Sequence, residues 1–159
     1  MKITIIGAGN MGGALAIGWA RAGKHEVTVT ARTEQTLSRF AGVDNILTST
    51  DNLNAVSGAD VVVLAVKPWL IEDVCRQIAG SLDFSRQIIL SVAANVFSDS
   101  LRGYLGCETA KVCYIMPNIA AEYGEAMTYL APAEGVTAEE ISLVRELLLE
   151  VGKVKLCKE

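Results

Sequence analysis

The chain has 159 residues, 51% of them hydrophobic and 20% charged, with a formal net charge of -4. This is enough apolar chain for one domain with a proper core and excludes disorder, while the acidic balance and scattered basic residues argue against nucleic acid as a partner. No apolar run approaches the roughly 20 residues of a membrane span, the first strand leaves no room for a signal peptide, and four cysteines (Cys75, Cys107, Cys113, Cys157) without C-x-x-C spacing read as reduced thiols in a cytoplasmic protein.

Met1 leads into an apolar strand made by Ile3, Ile5 and Ile6 with Thr4 between. Gly7-Ala8-Gly9-Asn10-Met11-Gly12 follows and opens onto a helical pattern in which Met11, Leu15 and Ala22 share a face. Strand, G-x-G-x-x-G and helix in that order is the context of the dinucleotide-binding fingerprint. The first glycine makes the tight turn, the second admits a pyrophosphate to the backbone, and the third lets helix and strand pack closely. The helix then offers its free N–H groups and positive dipole end to the phosphates.

A second strand is expected over 26–31, with a helix after it over 33–41. At the strand end stands Thr30-Ala31-Arg32-Thr33-Glu34. An NAD site places a carboxylate there for the ribose 2′-hydroxyl, whereas Arg32, with the Thr33 hydroxyl beside it, suits a 2′-phosphate. The cofactor expected is therefore NADP(H) before NAD(H). The alternatives are a solvated arginine with Thr33 as helix N-cap, or Glu34 reaching back to the ribose.

A short strand over 45–48 and a small helix over 51–57 precede Val61-Val62-Val63-Leu64-Ala65-Val66, apolar on both faces like a central parallel strand. Pro68 suits the first position of the next helix, whose buried stripe is Leu70, Val74 and Ile78. A fifth strand is expected over 87–92. Ser98 reads as N-cap of a helix that turns Leu101 and Leu105 inward and stops at Gly106. A strand follows over 111–116, then one over 126–131, antiparallel at the sheet edge. Thr137 and Glu140 form a capping box for a helix running to about residue 150, and a last strand covers 153–157. The alternation predicts an α/β chain: a Rossmann-type, doubly wound, mainly parallel sheet with helices on both faces, one domain over 1–159.

Three further segments stand in order: Ala65-Val66-Lys67-Pro68, Ser91-Val92-Ala93-Ala94-Asn95 and Met116-Pro117-Asn118. With the glycine motif before them, this set resembles the N-terminal domain of pyrroline-5-carboxylate reductase, over essentially the whole chain. The resemblance implies reduction of a small cyclic imine, 1-pyrroline-5-carboxylate, to L-proline by hydride transfer from NAD(P)H. It implies that Gly7, Gly9, Asn10, Met11 and Gly12 hold the diphosphate and that Arg32 and Thr33 meet the adenosine ribose. Ala65, Val66, Lys67 and Pro68 would line the dinucleotide, Ala93 and Ala94 would flank the nicotinamide, and Pro117 and Asn118 would fix its carboxamide or ribose end.

Departures from the family pattern fall on the substrate side: Asn95 stands for a usual glycine, Tyr114 for an arginine, Ile119-Ala120 for Thr-Pro, and Ala126 for a glycine. The family's helical C-terminal domain, which makes the dimer and much of the imine pocket, has no counterpart in these residues. The isolated chain is expected to bind NADPH and to reduce the imine poorly, and a homo-oligomer is expected only with that domain present. Two other readings are an NADP-dependent reductase of the wider β-hydroxyacid or F420-linked type, and a non-catalytic NADP(H)-binding module. No catalytic residue is assigned and no metal set is found. Lys67 reads as cofactor wall, His25 as a surface residue, and Tyr114 and Tyr123 as core or interface packing.

Overall fold

The computed structural model describes residues 1–159. Strands and helices alternate as β1 (Lys2–Ile6), α1 (Asn10–Ala22), β2 (Glu26–Thr30), α2 (Glu34–Leu37), β3 (Ile46–Ser49), α3 (Asn52–Val56), β4 (Val61–Leu64), α4 (Ile71–Ile78), β5 (Ile88–Ser91), α5 (Ser98–Leu105), β6 (Lys111–Met116), β7 (Ala126–Pro132), α6 (Ala138–Leu149) and β8 (Gly152–Leu156). Short 3-10 turns extend this pattern at Ser38–Phe40, Pro68–Leu70, Ala79–Ser81 and Ile119–Tyr123.

All strands join one sheet in the order β3-β2-β1-β4-β5-β6-β7-β8. From β3 to β6 every pairing is parallel, as helical crossovers require. The link from β6 to β7 holds only a 3-10 turn ending at left-handed Gly124, so β7 returns antiparallel. Helix α6 then makes a crossover, and β8 lies parallel to β7 at the edge. The edge therefore does run against the body of the sheet, but the edge strand is β8. The strand expected there, over 126–131, is one position further in, because its outer side pairs with Gly152–Leu156.

Successive strand residues feed opposite faces. Ile3, Ile5, Val61, Val63, Leu90 and Cys113 pack with α1, α2 and α6. Ile6, Val62, Leu64, Ile89 and Val112 pack with α3, α4 and α5. This explains why Val61–Leu64 has no polar position: all four side chains are buried, two on each face.

Several expectations are corrected. The chain from Pro68 begins as a 3-10 turn, whose angular step differs from that of an α-helix, so the buried stripe of α4 is Ile71, Cys75 and Ile78. Leu70 and Val74 are only half-buried. In α1, Leu15 is buried but Met11 and Ala22 are half-exposed, and Trp19 is the large anchor. Its Nε1 donates to the Leu147 carbonyl at 2.9 Å, tying α1 to α6. His25 is not a surface residue: its side chain is 7% exposed, with Nε2 2.6 Å from the Glu150 carboxylate where α6 ends. Tyr114 is buried as expected, whereas Tyr123 is 69% exposed. Burial pushes the Cys75 and Cys113 thiols up to about 12. No helix is long and apolar enough to cross a membrane.

Candidate functional site

Strand order reverses at β1, whose two neighbours are β2 and β4. In an open α/β sheet, the crevice beyond the carboxyl ends of such strands is where ligands bind. Gly7 and Ala65 stand at the two strand ends that frame it. Gly7 continues the ladder by donating to the Thr30 carbonyl at 3.0 Å and turns away at φ +113. A Cβ there would lie 2.5 Å from the Ala65 carbonyl oxygen. A Cβ on Gly12 would run into the Gly7 carbonyl. Both glycines are thus required by the close packing of β1, α1 and the β4 exit.

Gly9 differs from both. It is the N-cap of α1, with an ordinary extended backbone (φ -73, ψ -170), and a Cβ on it would meet nothing within 4 Å. The fold does not need glycine at this position. The space in front of it is what a phosphate approaching the first turn requires.

The electrostatics agree. Helices α2, α3 and α6 each close their own N-terminus with a side chain: Thr33, Asp51 and the Thr137/Glu140 capping box. Helix α1 has neither a side-chain cap nor an acid in its first turn. Its leading N–H groups and positive dipole end face the crevice with no internal partner. The cradle of Gly7, Gly9, exposed Asn10, half-buried Met11 and Gly12 therefore fits an anion of diphosphate shape.

At the end of β2, Arg32 is exposed. Thr33 Oγ1 accepts from Thr36 N at 3.3 Å and lies 2.9 Å from Thr36 Oγ1, so its hydroxyl serves as the α2 N-cap. On the other side of the crevice, Ala65 and Val66 are half-buried and Lys67 is exposed. Lys67 leads into the 3-10 turn whose first residue is Pro68. Beyond β5, Ser91 Oγ accepts from Ala93 N at 3.3 Å. Ala93 is buried, Ala94 is exposed, and Asn95 takes the left-handed conformation at φ +60. Asparagine thus keeps the backbone shape that a glycine would have allowed. Asn118 Oδ1 accepts from Ala120 N at 3.2 Å and caps the turn after β6.

Ser98 is not the N-cap of α5. Phe97 holds that position, and Ser98 is the first helical residue. The Glu159 carboxylate accepts from Ser98 N at 3.1 Å and from its Oγ at 2.6 Å, supplying the cap from the far end of the chain. Phe97 in turn packs edge-on to Tyr114, with ring centroids 6.1 Å apart. No local pattern signals the Glu159 contact, nor Arg39, whose guanidinium lies against α1 at Gly13. The only local hint at Gly13 was a second glycine directly after the motif.

The family model described as NADP oxidoreductase, coenzyme F420-dependent, matches residues 2–95. Among curated relatives, a pyrroline-5-carboxylate reductase of Vibrio alginolyticus is 35% identical over 155 residues, covering 96% of this chain and 56% of the relative. One of Methanosarcina acetivorans is 33% identical over 154 residues, covering 95% and 56%. Among solved structures, a pyrroline-5-carboxylate reductase from Coxiella burnetii superposes with a TM-score of 0.90 at 30% identity, over 99% of this chain and 58% of that one. A Plasmodium falciparum pyrroline carboxylate reductase solved with NADP bound shares the fold, with a TM-score of 0.87 at 21% identity, over 100% and 58%. The chain spans about half the length of the curated relatives it matches.

Proposed function

The chain belongs to the NADP oxidoreductase, coenzyme F420-dependent, family, and on that footing we propose that it is the dinucleotide-binding half of a pyrroline-5-carboxylate reductase. Such an oxidoreductase reduces the cyclic imine 1-pyrroline-5-carboxylate to L-proline. The observation that carries the reading is the uncapped α1 N-terminus, set over open space at Gly9 where the strand order reverses. The names of relatives matching along almost the whole chain support the imine substrate.

The nicotinamide coenzyme supplies the hydride when bound. The chain's own residues bind and orient it. The first-turn amides of Asn10 and Met11 hold the diphosphate, and Gly7, Gly9 and Gly12 keep the backbone low beneath it. Arg32 meets the 2′-phosphate, so NADP(H) is preferred and NAD(H) binds more weakly. Thr33, as cap, fixes the turn that presents Arg32. Ala65, Val66, Lys67 and Pro68 form one wall. Ala93 and Ala94 flank the nicotinamide with small side chains, and Pro117 and Asn118 fix its carboxamide or ribose end, Asn118 with the amide nitrogen its capping role leaves free. Orientation of this kind is where most of the rate advantage in hydride transfer arises.

Residues 1–159 form one NAD(P)-binding domain. The imine pocket and dimer contacts belong to the stretch of the relatives that this chain does not span. On its own the chain holds the coenzyme and reduces the imine weakly or not at all. The F420-linked reading draws on the family description, which covers residues 2–95 only, and is second.

Titrating the chain with NADPH and NADH tests the proposal. Saturable binding, tighter for NADPH, is expected, and no saturable binding of either refutes it. Vigorous proline formation by the 159 residues alone refutes the division of labour.

A further inference from the structure

Arg21, Arg76, Arg86 and Arg102 all give their guanidinium groups to a carbonyl or a carboxylate. Arg32, Arg39 and Arg145 do neither, and the first two belong to the short stretch that leaves β2 and passes α1, whereas Arg145 lies on α6. Arg39 lies in the 3-10 turn Ser38–Phe40, roughly two helical turns beyond Arg32. A Cβ built on Gly13 would fall 2.9 Å from Arg39 Nη2 and 3.0 Å from both Cζ and Nη1. Three nearly equal distances mean that the flat face of the guanidinium lies on the helix, which leaves its in-plane N–H donors pointing elsewhere. The Phe40 ring adds a cation–π contact, with Cζ 5.2 Å from the ring centroid. A cation is thus held beside the first turns of α1, a helix end that is itself positive and carries no acid. Glu34, the acid in the first turn of α2, forms no ion pair with it.

Neither guanidinium has an anionic partner, and beside a positive helix end Arg39 incurs a repulsion that its contact with the Phe40 ring offsets only in part. A dianion between them removes that cost. Arg32 opens and Arg39 closes the one short stretch that leaves β2 and runs past the first turns of α1, so both side chains belong to the same rim of the crevice. We propose that Arg39 is a second specificity-determining residue for the dinucleotide, binding together with Arg32 the phosphate monoester on its adenosine ribose. The planar fork of arginine suits such a group, which accepts several charge-assisted hydrogen bonds at once. Gly13 is then glycine so that the guanidinium can lie flat on the helix. The inference rests on the NADP(H) reading above and adds to it a residue with no counterpart in the fingerprint.

The test titrates the wild-type chain, Arg39→Ala and Arg39→Gln with NADPH and NADH, then repeats the NADPH titration with 2′-AMP or 5′-AMP as competitor. Thermal melts identify which variant retains the fold, and that variant carries the comparison. The expected result is a loss of NADPH affinity of about tenfold or more, the scale of a charge-assisted hydrogen bond, with NADH affinity changed less than about twofold. Competition by 2′-AMP should weaken in parallel, and competition by 5′-AMP should not. Equal losses for both coenzymes, or none for either, overturn the inference and leave Arg39 as packing of the Ser38–Phe40 turn on α1. A wild-type chain that binds neither coenzyme overturns the proposed function as well, so the two failures are distinct.

Discussion

Replacing Gly9 and Gly12 by alanine, one at a time, separates space kept for a ligand from space kept for the fold. A methyl group at Gly12 would collide with the Gly7 carbonyl and sit 3.1 Å from the Ala65 Cβ. The obstacle is backbone, so β1 and α1 must move apart. Overpacking of this kind costs about 1–3 kcal/mol, and at this chain length each kcal/mol lowers the midpoint by about 2–4 °C. The Gly12→Ala chain should therefore melt roughly 2–12 °C below wild type. At Gly9 the same methyl group meets nothing within 4 Å, and the backbone conformation is one alanine adopts freely. The poorer N-cap is offset by the lower entropy of the unfolded chain, so the midpoint should move by less than about 2 °C. Coenzyme binding should reverse the ranking. A methyl group at the closest approach to the diphosphate displaces charge-assisted contacts worth about 1.5–3 kcal/mol, roughly a 10- to 150-fold loss for NADPH and NADH alike. Differential scanning calorimetry and isothermal titration on the two variants measure both quantities. If Gly9→Ala keeps full affinity, or melts as low as Gly12→Ala, the distinction between the two glycines is wrong.

Three other outcomes are expected. Arg32→Ala should weaken NADPH by about 10-fold or more and NADH little, since one charge-assisted contact to the 2′-phosphate is lost; comparison of the two dissociation constants decides it. Trp19→Phe should destabilise the chain by about 1–3 kcal/mol in urea unfolding, because the Leu147 carbonyl loses its buried donor. Glu140 is held below the ordinary carboxylate range by hydrogen bonds from the Lys111 ammonium, 2.7 Å away, and from the Thr137 backbone. A depressed pKa of this kind adds stability above the unfolded value near 4.3 and loses it as pH falls through the lower folded value. Glu140→Gln should therefore cost on the order of 1 kcal/mol at pH 7. The gap to wild type should close on acidification below about pH 4, as read from denaturation midpoints across a pH series.

What could be read from residues alone was whatever depends on near neighbours in the chain. The run Val61–Val66 announced a strand buried on both faces, and its first four residues form one, while Ala65 and Val66 leave the strand half-buried. Thr137 and Glu140 announced a reciprocal cap, which forms with Thr137 N donating at 2.9 Å to Glu140. The glycines of the first turn marked the crevice, since a strand, a tight turn and a helix start are fixed within a few residues of one another. Tertiary structure alone decided what depends on distant partners. The part-buried pair of His25 with Glu150 spans 125 positions, and the capping of Ser98 by Glu159 spans 61. The edge position of β8 follows from the side of β7 on which the α6 crossover lands, and the flat contact of Arg39 on Gly13 follows from where the Ser38–Phe40 turn sets its side chain against α1. Periodicity and capping are local energies that repeat or close within a turn, so they leave a pattern in the sequence. A contact between remote segments exists only once the sheet has placed both, and neither residue carries a mark of the other.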